Sequence, residues 1–121
     1  MATQHERMRQ ALNELTEHFE RGLIPFWLSR GIDTEHGGYL TCFDADGRPT
    51  GDTDKYVVTQ TRMIWRLSAL TRLYPARLDL AAAARQGVDF FIARFWDPDH
   101  GGWYWKTTRA GDALDTGKVV Y

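Results

Sequence analysis

The stretch Asp33-Thr34-Glu35-His36-Gly37-Gly38 returns as Asp97-Pro98-Asp99-His100-Gly101-Gly102. Each copy follows an aromatic pair, Phe26-Trp27 or Phe95-Trp96, and each leads into an aromatic stretch and a glycine-bearing turn. Further on, Asp54-Lys55 parallels Gly117-Lys118, each opening an apolar segment. His36 and His100 are 64 residues apart, and Lys55 and Lys118 are 63 apart. Spacing this constant marks an internal repeat, and a unit of that length holds two helices and a hairpin. Units that cannot bury their own faces stack on neighbours, and about three or more are needed for stability. Fewer than two are complete in these 121 residues. The residues alone predict a helical-hairpin repeat protein, seen in part or completed by a partner copy.

Between the repeated turns the periodicity is helical. Thr3 and Glu6 have capping-box spacing, and Met8, Ala11, Leu12, Leu15, Phe19, Leu23 and Phe26 follow as one apolar stripe. Pro25 lacks a backbone donor, which predicts a kink or helix end near Phe26-Trp27. After the first Gly-Gly, the alternation from Tyr39 to Phe43 predicts a strand, with a turn at Asp44-Ala45-Asp46-Gly47 and a return arm over 48–54. A second helix is predicted over about 56–74. Ile64, Leu67, Leu70 and Tyr74 form its stripe, widened by Val57, Trp65 and Leu73, and Pro75 stops it. A third is predicted over about 78–95, with Ala81, Ala84, Val88, Phe91, Ile92 and Phe95 inward. A second hairpin follows, from Trp103 to Thr108 with a turn at Arg109-Ala110-Gly111-Asp112. Lys118 to Tyr121 opens a further apolar segment.

Composition narrows the function. With 43% apolar and 26% charged residues, the chain is not a disordered tail. A net charge of −1 provides no basic field for nucleic acid or anionic lipid. One cysteine, Cys42, excludes an intramolecular disulfide framework and a Cys-only zinc site, and in a half-buried strand it is expected to be inert. The first residues have no apolar h-region, and the longest apolar run, Leu80 to Ala84, is five residues. A cytoplasmic protein is expected, with no membrane segment. Asp44-Ala45-Asp46-Gly47 begins like a calcium loop, but Lys55 stands where the bidentate Glu should be. Asp97, Asp99 and His100 read as a turn. No metal is expected. Trp103 and Trp105 read as packing residues before a sugar platform.

The ordered set of motifs resembles the N-terminal part of the N-acylglucosamine 2-epimerase family, which includes cellobiose 2-epimerases and mannose isomerases. The resemblance rests on Phe26-Trp27 with His36-Gly37-Gly38-Tyr39, on Lys55-Tyr56 with Gln60-Thr61-Arg62 and Trp65, on Phe95 with His100-Gly101-Gly102 and Tyr104-Trp105, and on Asp115 with Lys118 and Tyr121. It implies an all-α fold, the first part of an (α/α)6 toroid. Three helices, the start of a fourth and two short β-hairpins would make one incomplete domain over residues 1–121.

The resemblance also implies chemistry. Family members act on C2 of an opened aldose or ketose: a base removes the proton alpha to the carbonyl, and an acid returns one to a cis-enediolate. Histidine suits that task, because its pKa lies near working pH. The enediolate charge needs a fixed cation, and Arg62 matches the family arginine that supplies it. Tyr121 matches a family tyrosine at the mouth of the fourth helix. Tyr56 and Gln60 flank Arg62 and are candidates to touch sugar hydroxyls, although Gln60 could equally brace the arginine. Val58 stands where some relatives have a tryptophan. None of His5, His18, His36 and His100 matches a catalytic histidine, and His36 and His100 are expected to cap or brace the Gly-Gly turns. The chain alone is therefore expected to be inactive. The expected partners are a mono- or disaccharide, a homodimer mate or the remainder of the toroid, with no cofactor. Two alternatives remain: a glycoside hydrolase on the same toroid, and a non-catalytic helical-repeat protein acting by association.

Overall fold

The computed structural model describes residues 1–120, so Tyr121 lies outside the described residues. The chain divides into two compact units, Met1–Arg30 and Gly31–Tyr121.

The first unit is a continuous helical run. Helix α1 spans Gln4–His18 and opens with the expected capping box. Thr3 Oγ1 accepts from the Glu6 N–H, and Glu6 Oε2 accepts from the Thr3 N–H. No residue of α1 is buried, so its apolar stripe is amphipathic but open. A π-turn over Phe19–Leu23 leads directly into α2, Ile24–Arg30. The expected break near Phe26 is therefore displaced. Pro25 cannot donate to the preceding turn, and its ring would strike the carbonyl there. The wider turn accommodates both problems one step earlier: the Ile24 N–H reaches back five residues to the Phe19 carbonyl.

The second unit is built on an antiparallel helix pair, α3 (Val57–Leu73) and α4 (Leu78–Phe95). Met63 and Leu67 of α3, and Leu80, Ala83, Ala84, Phe90, Phe91 and Phe95 of α4, form the core with Tyr39. The inward face of α4 differs from the expected one. Ala81 and Ile92 are exposed, and the buried line passes through Gly87, which hydrophobic periodicity cannot register. A Cβ at Gly87 would sit inside the Tyr39 phenol. That close approach lets the Tyr39 hydroxyl donate to the Ala83 carbonyl at 2.8 Å, and burial pushes the phenol's pKa well up. On α3, Trp65 and Leu73 also lie outside the core, at 71% and 70% exposure.

The β structure is sparse. Strands β1 (Lys55–Tyr56), β2 (Lys106–Thr107) and β3 (Ala113–Asp115) form one antiparallel sheet in that order. The strand expected from Tyr39 to Phe43 contributes only isolated bridges, Ile32 with Tyr39 and Phe43 with Pro49, the latter around the Asp44 turn. Residues 116–120 carry no regular element. Trp103 packs as expected, with its ring centroid 4.6 Å from Phe91 and 5.1 Å from Trp96. Cys42 is half-buried, and burial with the Asp52 charge beside it raises its thiol pKa.

Candidate functional site

The two repeated turns are built alike. Asp33 Oδ1 accepts from the Glu35 and His36 N–H groups, both at 3.2 Å, and Asp97 Oδ1 accepts from Asp99 and His100 at 3.0 and 3.1 Å. The Gly37 N–H donates to the Asp33 carbonyl, as Gly101 does to that of Asp97. All four glycines have φ between 72° and 85°, a region L-residues avoid. A Cβ on Gly38 would also collide with the Phe90 ring and Gln60 Oε1. The bracing groups are thus the aspartates. His36 and His100 contribute backbone N–H groups, while their imidazoles only approach the acids Glu35 (3.4 Å) and Asp97 (3.5 Å).

Each turn aspartate then grips a distant lysine. Lys55 Nζ lies 2.8 Å from Asp33 Oδ2, and Lys118 Nζ lies 2.7 Å from Asp97 Oδ2. The Lys55 ammonium also donates to the carbonyls of Gly37 (2.6 Å) and Arg109 (2.7 Å), which uses all three of its protons. Arg109 closes a bidentate pair on Asp33, both contacts at 3.0 Å. Burial works to raise the Asp33 carboxyl, but Arg109, Lys55 and the His36 N–H outweigh it and hold it well below the usual range. Burial pulls the Lys55 ammonium down against the opposing pull of Asp33. Lys118 and the turn N–H groups hold Asp97 well below the usual carboxylate range. This double clasp was missed in the sequence. Its signal was present: each repeated Asp precedes a repeated Lys, by 22 and by 21 residues.

The Asp33–Lys55 clasp fixes the start of α3, which carries Gln60 and Arg62 and has Tyr56 as its N-cap. Tyr56 ends β1 and stands at the N-cap of α3; its ring lies 5.2 Å from Lys106 Nζ and its hydroxyl 3.5 Å from Asp52 Oδ2. Gln60, one turn on, is 1% exposed. It bonds both sides of the Tyr39 backbone, accepting from the N–H at 2.9 Å and donating to the carbonyl at 2.8 Å. Its amide braces the backbone just after the Gly-Gly turn and not the arginine. Arg62 faces the other way. It is exposed, has no ion pair among the described residues, and lines an open hollow of about 500 Å³ with Thr61, Trp65 and Arg66. Val58 lines a second hollow of about 380 Å³ with Trp103, Trp105, Lys118 and Val120. Among the described residues, no cluster of three or more His, Cys, Asp or Glu could hold a metal, and no helix is long and apolar enough to cross a membrane.

The helix pair with its clasped turns matches part of the helical toroid fold of cellobiose 2-epimerases. Cellobiose 2-epimerase from Spirochaeta thermophila superposes with a TM-score of 0.82 at 25% identity, over 95% of this chain and 28% of that one. A D-mannose isomerase structure superposes with a TM-score of 0.73 at 26% identity, over 86% of this chain and 25% of that one. The profile of the family N-acylglucosamine 2-epimerase (GlcNAc 2-epimerase) matches residues 38–121, and the chain belongs to that family. Cellobiose 2-epimerase of Bacteroides fragilis is 31% identical over 114 residues, 89% of this chain and 27% of the relative. N-acylglucosamine 2-epimerase of Mus musculus is 36% identical over 92 residues, 72% of this chain and 22% of the relative. The chain thus spans about a quarter of the length of the curated relatives it matches.

Proposed function

We propose that this chain is the N-terminal portion of a cytoplasmic sugar 2-epimerase or aldose–ketose isomerase that moves a proton at C2 through a cis-enediolate. The observation that carries the reading is Arg62, a guanidinium with no ion pair among the described residues, over an open hollow on the outward face of α3. A guanidinium stays charged and bridges two oxygens, so it can hold O1 and O2 of an open-chain sugar as charge grows on them. Tyr56 and Tyr121 contact substrate hydroxyls in this reading. Gln60, placed in the notional ligand shell by sequence, supports that shell from behind through Tyr39. In this reading the proton-transferring histidines come from segments beyond this chain, because none of His5, His18, His36 and His100 matches a family catalytic histidine. The names of the relatives favour a mono- or disaccharide substrate.

One observation favours association as a second reading: Trp65, Leu73 and Ile92 are all more than half exposed on α3 and α4. A partner copy or the remainder of a toroid would cover them.

Deuterium wash-in at C2 separates the readings. The 121-residue chain alone should exchange no C2 proton of glucose, N-acetylglucosamine or cellobiose in deuterated water. The chain fused to the remaining length of a related cellobiose 2-epimerase should exchange at least one of them. A folded fusion that exchanges none would remove the epimerase reading and leave association.

A further inference from the structure

We infer that the second clasp, Asp97 with Lys118, is a docking point for an arginine-bearing turn from a further repeat unit, which gives a guanidinium to Asp97 and a main-chain carbonyl to Lys118. The inference rests on the reading of this chain as one portion of a larger toroid, and it does not depend on Arg62. In the first clasp, closure comes from a later hairpin, 76 residues beyond Asp33. The Arg109 guanidinium bonds both oxygens of Asp33, and the Arg109 carbonyl accepts one proton of the Lys55 ammonium. The Asp33 and Lys55 side chains then have no exposed surface. With a repeat of 63 or 64 residues, the equivalent turn for Asp97 falls beyond these 121 residues.

The second clasp has the same first contacts and lacks that closure. Asp97 Oδ1 accepts from the two turn N–H groups, as Asp33 Oδ1 does, and Oδ2 accepts from Lys118. No arginine reaches either oxygen among the described residues. The His100 imidazole comes within 3.5 Å of Oδ2 but is 82% exposed, so it does not cover the pair. Lys118 makes one hydrogen bond where Lys55 makes three, which leaves two of its protons unanswered among the described residues. The Asp97 side chain is nonetheless only 6% exposed. A nearly buried carboxylate with spare lone pairs favours a charged donor, and the guanidinium fork meets both oxygens at once. Two free ammonium protons favour a carbonyl on the same piece of chain. The Arg109 turn shows that one short turn carries both groups. Lys118 also borders the hollow of about 380 Å³ beside Trp103 and Trp105, which gives such a turn room to enter. A second copy of this chain cannot lend its own Arg109 turn, because that guanidinium is committed to its own Asp33.

The test titrates the 121-residue chain with a peptide of its own closing turn, Lys106 to Ala113, joined end to end to hold the turn. The Asp97 carboxyl and the Lys118 ammonium are followed by NMR. Both should shift saturably by about 10 mM peptide, and the Arg109→Gln peptide should bind about tenfold more weakly, the scale of one charge-assisted pair. The Arg109→Lys peptide should keep part of the affinity, because an ammonium lacks the planar fork. In the chain, Asp97→Asn should weaken the parent peptide by a similar factor. The Asn oxygen still accepts from the turn N–H groups, so circular dichroism should be unchanged. The two peptide variants decide the question even if Asp97→Asn does not fold. Absence of a saturable shift at Asp97 and Lys118 overturns the inference, as does equal binding of the Arg109→Gln peptide. Self-association of the chain that Asp97→Asn abolishes gives the site to a second copy and also overturns it. None of these readouts involves a sugar, so their failure leaves C2 exchange by the fused protein untouched, and loss of exchange leaves peptide binding untouched.

Discussion

The Lys55 ammonium lies 2.8 Å from Oδ2 of Asp33, and neither side chain has any exposed surface. A buried ion pair is rarely a large net source of stability, because desolvation offsets the attraction. Its effect here is positional: three segments distant in sequence, the first Gly-Gly turn, the start of α3 and the Arg109 carbonyl, converge on one nitrogen. The second copy, Lys118 on Asp97, repeats the arrangement with a more open lysine.

Removing one partner leaves the other buried and unpaired. Lys55→Met should cost about 3–5 kcal/mol. Lys118→Met should cost less, because Lys118 is 35% exposed and water can replace it. Urea midpoints of the two variants check this, and equal losses would show that burial of the first clasp contributes nothing special.

The clasps also set an acid limit. Asp33 and Asp97 are both held below the ordinary carboxylate pKa in the folded chain. Their contribution is therefore full above the unfolded value of about 4 and is lost as pH falls through the lower folded values. Acid unfolding followed by circular dichroism should start below about pH 4. Asp33→Asn should flatten that acid dependence while lowering stability at neutral pH. An unchanged acid profile in the variant would exclude Asp33 as a source.

Gly87 is the point where α4 lets Tyr39 through. Gly87→Ala places a methyl inside the phenol and should destabilise by at least about 1–3 kcal/mol, the range for an overpacked core. A fall in melting temperature of at least ~5 °C should report it. A melting temperature equal to the wild type would mean that Tyr39 does not occupy this position.

Much of this architecture was legible in the residues. The repeat, the capping box at Thr3, the two long helices and the packing role of Trp103 all follow from spacing and turn chemistry. What was not legible depends on three-dimensional convergence. No local rule selects Lys55 as the partner of Asp33, because only the fold brings 22 residues of separation to 2.8 Å. Gly87 hid the true inner face of α4, since a residue with no side chain leaves no mark in a hydrophobic pattern. The π-turn was displaced from Pro25 because a helix can absorb a missing donor upstream. At the candidate site, Gln60 and Arg62 are two residues apart and point to opposite faces of α3, so adjacency in sequence gave them a shared role that the helix separates. Tyr121 lies outside the described residues.

Arg62 is the residue on which the functional account rests, and its replacement in the fused, full-length protein is the most direct test. Arg62→Ala should lower kcat for C2 proton exchange by about 10²–10³ with a smaller change in KM, because the guanidinium acts most strongly on the charge of the enediolate. Arg62→Lys should recover only part of the loss, since an ammonium cannot bridge two oxygens in a planar fork. An Arg62→Ala protein that exchanges C2 protons at the parent rate would contradict the account.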